Sequence, residues 1–242
     1  MHSRNEECLI CHSPIMYIRA QRMMICRLCQ KQFLSNTECV RGHYVCDQCH
    51  SEKGVGSTSS RCMNMDSRNP VEVALTLMKS PLVHMHGPEH HVLVGTALLT
   101  AYANCVEGFN LASAIAEMEN RGRQVPGGVC GLWGCCGAAI SCGIAYSIIT
   151  GTTPLSTETW GLSNTLVSEC LKNIGELGGP RCCKRDSFTA LRTAITFLRK
   201  HNGVILEAPI QLTCCFSHKN TQCQGKLCPY HSHHNMDHMK DL

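Results

Sequence analysis

Twenty of the 242 residues are cysteine, and most stand in groups with ligand spacing. Cys8-x2-Cys11, Cys26-x2-Cys29 and Cys39-x3-His43-x2-Cys46-x2-Cys49 fall within the first fifty positions. A C-x2-C turn aims two sulfurs at one ion, and two such turns complete a tetrahedron. Taken in sequence order, Cys8, Cys11, Cys26 and Cys29 make one site, and Cys39, His43, Cys46 and Cys49 a second. An interleaved division, as in cross-brace modules, uses the same spacings. Zn(2+) is the favoured ion by base rate, although four thiolates also hold iron. Closed four-ligand sets leave no open position, so they read as staples for a segment too short to fold alone. His12 and His50 are spare imidazoles.

A second population of thiols lies further along. Cys130 and Cys135-Cys136 precede a helical stretch, and Cys182-Cys183 stand between Arg181 and Lys184-Arg185 just before another. Helix-start amides and nearby cations both favour thiolate over thiol, which suits a cluster ligand, a nucleophile or a redox cysteine. Cys214, Cys215, Cys223 and Cys228 add up to four sulfurs in fifteen residues, with Pro229 after the last. Their spacing does not match the bacterial ferredoxin run, and a further zinc knuckle is the rival reading. Cys62, Cys105, Cys142 and Cys170 read as small packed hydrophobes. His86-Gly-Pro-Glu89-His90 fits the inverted zincin string, but that string works on one helix face and Gly87-Pro88 interrupts it here. His86, Glu89 and His90, with His91, remain candidates to face a site from the first turn of a helix.

Composition limits the classes. The chain opens MHSRNEECLICH, charged and without an apolar leader, so dense cysteine argues for reduced, metal-binding thiols in the cytoplasm. A net charge of +4 without a basic stripe gives no nucleic-acid signature. Residues 124–157 carry no formal charge, yet their continuous apolar run falls short of the ~20 residues a membrane span needs. Charged residues are 17% and aromatics 5%, which suits a chain where metal ligation replaces part of a large core.

These residues need elements to hold them. Residues 1–50 form a zinc-ribbon-like module, and residues 51–68 read as a Gly/Ser/Thr linker. Residues 69–230 read as an all-α, cysteine-rich domain. Asn69-Pro70 starts one helix, and Pro88-Glu89 opens another through Tyr102. Asn110 caps a third that Gly122 ends. A helix from Gly137 carries Gly137, Ser141 and Ala145 on one close-packing face. Ser156 and Glu158 start a helix with Leu162, Leu166, Cys170, Ile174 and Leu177 inward. Asp186 caps a last helix that stops at His201-Asn202-Gly203. No period-2 run follows residue 70, so the fold class is mainly α, a helical bundle with cysteine-rich loops. Residues 231–242 read as a disordered, His-rich tail.

The strings HGPEHHVLVGTALLTAY, VPGGVCGLWGCCGAA, SIITGTTPLSTETWGL, GGPRCCKR and FSHKNTQCQGKLCP together resemble a cysteine-rich family of unknown function from anaerobic archaea and bacteria. The likeness spans about residues 70–230. Its shared positions are His86, Glu89, His90, Cys130, Cys136, Cys182, Cys183, Cys215, Cys223 and Cys228; Cys135, Cys142 and Cys214 stand outside the pattern. It implies metal binding and no particular reaction. The expectation is an oxygen-sensitive iron–sulfur or thiol enzyme of anaerobic sulfur or redox metabolism. Cys136, Cys182 and Cys183 are its reactive thiols, and Cys130, Cys215, Cys223 and Cys228 hold a 4Fe–4S cluster. His86, Glu89 and His90 handle protons or substrate. Its partners are a small-molecule or sulfur-containing substrate and a redox protein. The alternative is a zinc-only structural or regulatory binding protein.

Overall fold

The structure, a computed structural model, describes residues 8–232. Strands β1 (Ile15–Ile25) and β2 (Gln32–Cys39) form an antiparallel hairpin. The register pairs Ile15 with Cys39 and Ile25 with Gln32, with an irregularity between Tyr17 and Arg22. The first knuckle, Cys8–Cys11, therefore lies beside the end of β2, while Cys26–Cys29 forms the turn between the strands. Both knuckles end in a left-handed residue, His12 at φ 56° and Gln30 at φ 61°. A bridge from Cys26 to Tyr44 ties the turn to the segment entering Cys46.

Helix α1 (Asp47–Cys62) begins immediately after Cys46. The expected linker at 51–68 is thus mostly helix. Ser51, Gly54, Val55, Thr58 and Cys62 repeat at helical spacing and are buried. A Cβ at Gly54 would meet the Leu82 carbonyl at 2.8 Å, so glycine permits a close approach that an apolar stripe would otherwise drive. Asp47 accepts the Gly127 amide at 2.6 Å and Ser59 donates to Glu119 at 3.0 Å, joining α1 to the helical body.

That body comprises α2 (Pro70–Met78), α3 (His90–Ala103), α4 (Leu111–Gly122), the short α5 (Val129–Leu132), α6 (Gly137–Thr150), α7 (Glu158–Glu176) and α8 (Cys183–Asn202). Asn69 caps α2 by accepting the Val71 and Glu72 amides, and Asn110 caps α4 by accepting that of Ser113. Gly203, at φ 68°, stops α8 as expected. The start of α8 differs from expectation: Cys182 is its cap, and Asp186, inside the first turn, accepts the Cys182 amide at 3.3 Å. Of the residues expected inward on α7, Leu166 and Cys170 are buried and the others are half-buried. The expected packing role of Cys62, Cys142 and Cys170 matches their full burial; Cys105 is half-buried.

Helix α3 is central, buried from His90 to Ala101, and packs on α2, α4, α6 and α8. Its contact with α6 depends on small residues: the Gly95 amide donates to Ser141 Oγ at 2.8 Å. A Cβ at Gly95 would collide with Met118 and stand 2.9 Å from the Ser141 carbonyl. Gly95→Ala is expected to destabilise the protein by about 1–3 kcal/mol, read as a lower denaturant midpoint at unchanged slope.

After α8 the chain runs without long elements, apart from 3-10 turns at Ser217–Lys219 and Gly225–Leu227. It folds back on α8, where Tyr230 meets the Thr189 hydroxyl at 3.0 Å and the Phe188 ring edge-on. Among the described residues, no helix is long and apolar enough to cross a membrane. The expected disordered tail lies outside the described residues from 233 onward.

Candidate metal centres

The amino-terminal ligands gather into two sets, and the sets interleave. Cys8, Cys11, Cys39 and His43 bring their ligand atoms within 4.8 Å of one another, as do Cys26, Cys29, Cys46 and Cys49. His43 Nδ1 stands 3.2 Å from Cys11 Sγ, and Cys11 and Cys39 sulfurs are 3.9 Å apart. In the second set Cys29 and Cys46 sulfurs are also 3.9 Å apart. The sequence-order division is therefore corrected. The two knuckles stand at opposite ends of β1, so the first takes its partners from the end of β2 and the turn after it, and the second from the segment that enters α1. Amides converge on the sulfurs, with His43 and Arg41 both donating to Cys39 at 3.3 Å and Cys46 donating to Cys26 at 3.3 Å. Such donors favour thiolate, and Cys11 and Cys26 are both lowered to about 6; for Cys11 the Ser13 hydroxyl and amide lead, and for Cys26 amide donors outweigh burial. Each set can hold one metal ion.

The thiols of the helical body do not converge on one point. Cys182, Cys214, Cys223 and Cys228 line one small, partly open cavity of about 20 Å³, with Arg185 and Asn220. Cys130 and Cys136 line a larger cleft of about 580 Å³, with Arg181, Arg185, Asp186 and Tyr17 of the hairpin. Arg185 lines both spaces, and Asp186 the larger one. Arg185 donates to Asp186 at 2.9 Å, Gln224 at 2.5 Å and the Gly178 carbonyl at 2.8 Å. Cys215 is exposed and lines neither space, whereas Cys214, outside the family-like pattern, lines the first. Among the described residues, no three of these thiols meet within 4.8 Å.

At the helix starts, desolvation works against the expected thiolate character. Both residues are half-buried, and surrounding protein pushes Cys136 up to about 12 and Cys182 up to about 11, with Asp186 adding to both. Cys183 is raised further by the same cause. Amides and guanidinium groups nearby oppose this and lose, because shedding the hydration of an anion outweighs a few dipoles.

The residues of the HGPEHH string point apart. His86 Nε2 stands 3.2 Å from Asn220 Oδ1, and Asn220 donates to Cys182 Sγ at 3.4 Å, so His86 reaches the small cavity through one amide. His90 bonds the Gly87 carbonyl through Nδ1 at 3.0 Å and Lys184 Nζ through Nε2 at 2.9 Å. Burial keeps His90 neutral, which lets Nε2 accept from the ammonium. Lys184, 1% exposed, also donates to the His84 carbonyl at 2.8 Å, and burial lowers it to about 8. His91 bonds the Val125 carbonyl at 2.9 Å. Glu89, fully buried, faces His84 and His50, and its Oε1 also lies 3.8 Å from His90 Nδ1. Sequence reasoning set His50 aside as spare; its position one residue after Cys49, on the first turn of a helix, was the available signal.

No curated protein and no solved structure matches the chain. A family model described as a family of unknown function (DUF5714) matches residues 58–231, from the end of α1 to the last cysteine segment. The chain belongs to that family, and carries the two-site cysteine module in front of it.

Proposed function

We propose that the protein is an oxygen-sensitive metalloenzyme of sulfur or redox metabolism. Zinc fills the two closed amino-terminal sets as structural staples, and an iron–sulfur cluster sits against the start of α8. The observation that carries this reading is the four-thiol cavity. Cys182, Cys214, Cys223 and Cys228 come from two separate segments and line one pocket that is partly open to solvent. They are not drawn together as ligands of one ion are. A cubane suits that arrangement, because each of its ligand thiolates binds a different iron. In this ligand set Cys214 replaces the exposed Cys215, and Cys182 replaces Cys130, which lines the other cleft. His86, joined through Asn220, is placed to handle protons beside it.

The adjacent cleft is large enough for a small-molecule substrate, for which pockets of roughly 300–1,000 Å³ are usual. Cys136 and Cys130 on its wall, with Cys183 close behind, are the thiols offered to a sulfur-containing substrate. A redox partner protein supplies or takes electrons. Anaerobically purified protein is expected to contain iron and acid-labile sulfide and to absorb near ~400 nm. Cys223→Ser and Cys182→Ser should each lose that absorbance without losing zinc. A colourless protein with stoichiometric zinc and no iron would overturn the reading in favour of a zinc-only binding protein.

A further inference from the structure

We propose that His50, His84 and Glu89 form a third metal site, holding a divalent ion of the zinc class through three protein ligands with one position left open. Their ligand atoms lie within 4.8 Å of one another. The donors are two imidazoles and a carboxylate, without thiolate, and they come from both parts of the molecule. His50 is on the first turn of α1, directly after a ligand of the second cysteine set, while His84 and Glu89 precede α3.

The hydrogen bonds show where an ion belongs. Glu89 Oε1 is satisfied by the His84 amide at 2.8 Å and faces His84 Nδ1 at 3.2 Å. Glu89 Oε2 and His50 Nδ1 are both buried without a hydrogen-bond partner and stand 3.6 Å apart. That distance is too long for a hydrogen bond, and an orphaned carboxylate oxygen on a fully buried residue costs the protein its desolvation. A cation bridging the two atoms satisfies both.

The surroundings hold the carboxylate where it is. A Cβ at Gly87 would fall on the Glu89 carboxylate, and one at Gly54 would press on Glu89 Cγ at 3.2 Å. Backbone therefore packs directly against the side chain. The second layer is ordered too, since the His84 carbonyl takes the buried Lys184 ammonium. Such outer contacts orient ligands in metal sites generally. His50 and His84 side chains remain 24% and 33% exposed, so the site lies close to the surface. Two histidines and a glutamate with a free position are the donor set of open, water-holding zinc sites, unlike the closed sets of the hairpin. The ion would also clasp the cysteine module to the helical body.

Cobalt(II) reconstitution of the full chain tests this without reference to catalysis. Wild-type protein is expected to bind one cobalt equivalent that lacks thiolate-to-cobalt charge-transfer absorption, displaced by added zinc. His84→Gln and His50→Gln, at half-exposed positions, should each bind one equivalent fewer, with the thiolate bands and far-UV circular dichroism unchanged. Iron and sulfide content of anaerobic His84→Gln should equal wild type, so failure of the iron–sulfur reading registers separately. Equal cobalt binding by wild type and His84→Gln, or a lost equivalent that carries thiolate bands, would overturn the site. If a variant does not fold, wild type alone decides: charge-transfer absorption from every bound cobalt refutes the proposal.

Discussion

Cys26→Ser is expected to remove one metal ion per chain and open the turn between β1 and β2, while the ion of the other set stays bound and α2–α8 keep most of their helical circular dichroism. Structural zinc in small modules contributes on the order of 10–16 kcal/mol of apparent binding energy, which is folding energy where no other core exists. The hairpin has little else: Met16, Tyr17, Met23, Ile25 and Leu34 are all exposed, and its buried residues are chiefly the ligands themselves. Pairs of substitutions then report the interleaving. Cys8→Ser with Cys39→Ser strikes one ion, so the double variant should lose no more metal than either single one. Cys8→Ser with Cys26→Ser strikes both ions and should lose two. Native mass spectrometry reads the difference, and limited proteolysis should open the chain before residue 46. The reverse pattern of losses would restore the sequence-order division.

The second large effect lies at Arg185. This guanidinium, 3% exposed, holds Asp186, Gln224 and the Gly178 carbonyl at once, and so joins α8, the loop after α7 and the last cysteine segment. Arg185→Ala leaves the Asp186 carboxylate, 4% exposed, without its cation. Removing one partner of a buried pair costs roughly 3–5 kcal/mol, because the remaining charge stays desolvated. At about 2–4 °C per kcal/mol for a chain of this size, the thermal midpoint should fall by roughly 10 °C. Arg185→Lys should recover little of it, since an ammonium cannot reach three acceptors in fixed fork geometry. A midpoint within a degree or two of wild type would show that the network contributes no net stability.

Much of the helical fold was legible in the chain because its signals are local. Asn69 and Asn110 cap the helices they were expected to cap, and Gly203 ends α8, since a cap needs only the amides within one turn. Helix α1 was not legible. Its segment GVGSTSS has a linker's composition, and it is helical because the Cys46–Cys49 turn starts it and Gly54 lets it lie close against Leu82. Nor could the three directions of His86, Glu89 and His90 be read, because the Gly87-Pro88 break says that a helix stops and not where each side chain then turns.

The sequence by itself determined that this chain carries sets of residues able to hold metal: four pairs of ligands in its first fifty residues, before a helical body with further cysteines at helix starts. Tertiary structure alone decided which ligands share an ion, since the spacings suit two divisions and only the Ile15–Cys39 register selects one. It also divided the body's thiols between two spaces and raised Cys136, Cys182 and Cys183, where sequence suggested thiolates. It brought His50 to Glu89 across 39 positions. The reason is common to all three. Spacing is a property of neighbours in the chain, whereas coordination and desolvation depend on every atom around a group, and those atoms are assembled only by the fold.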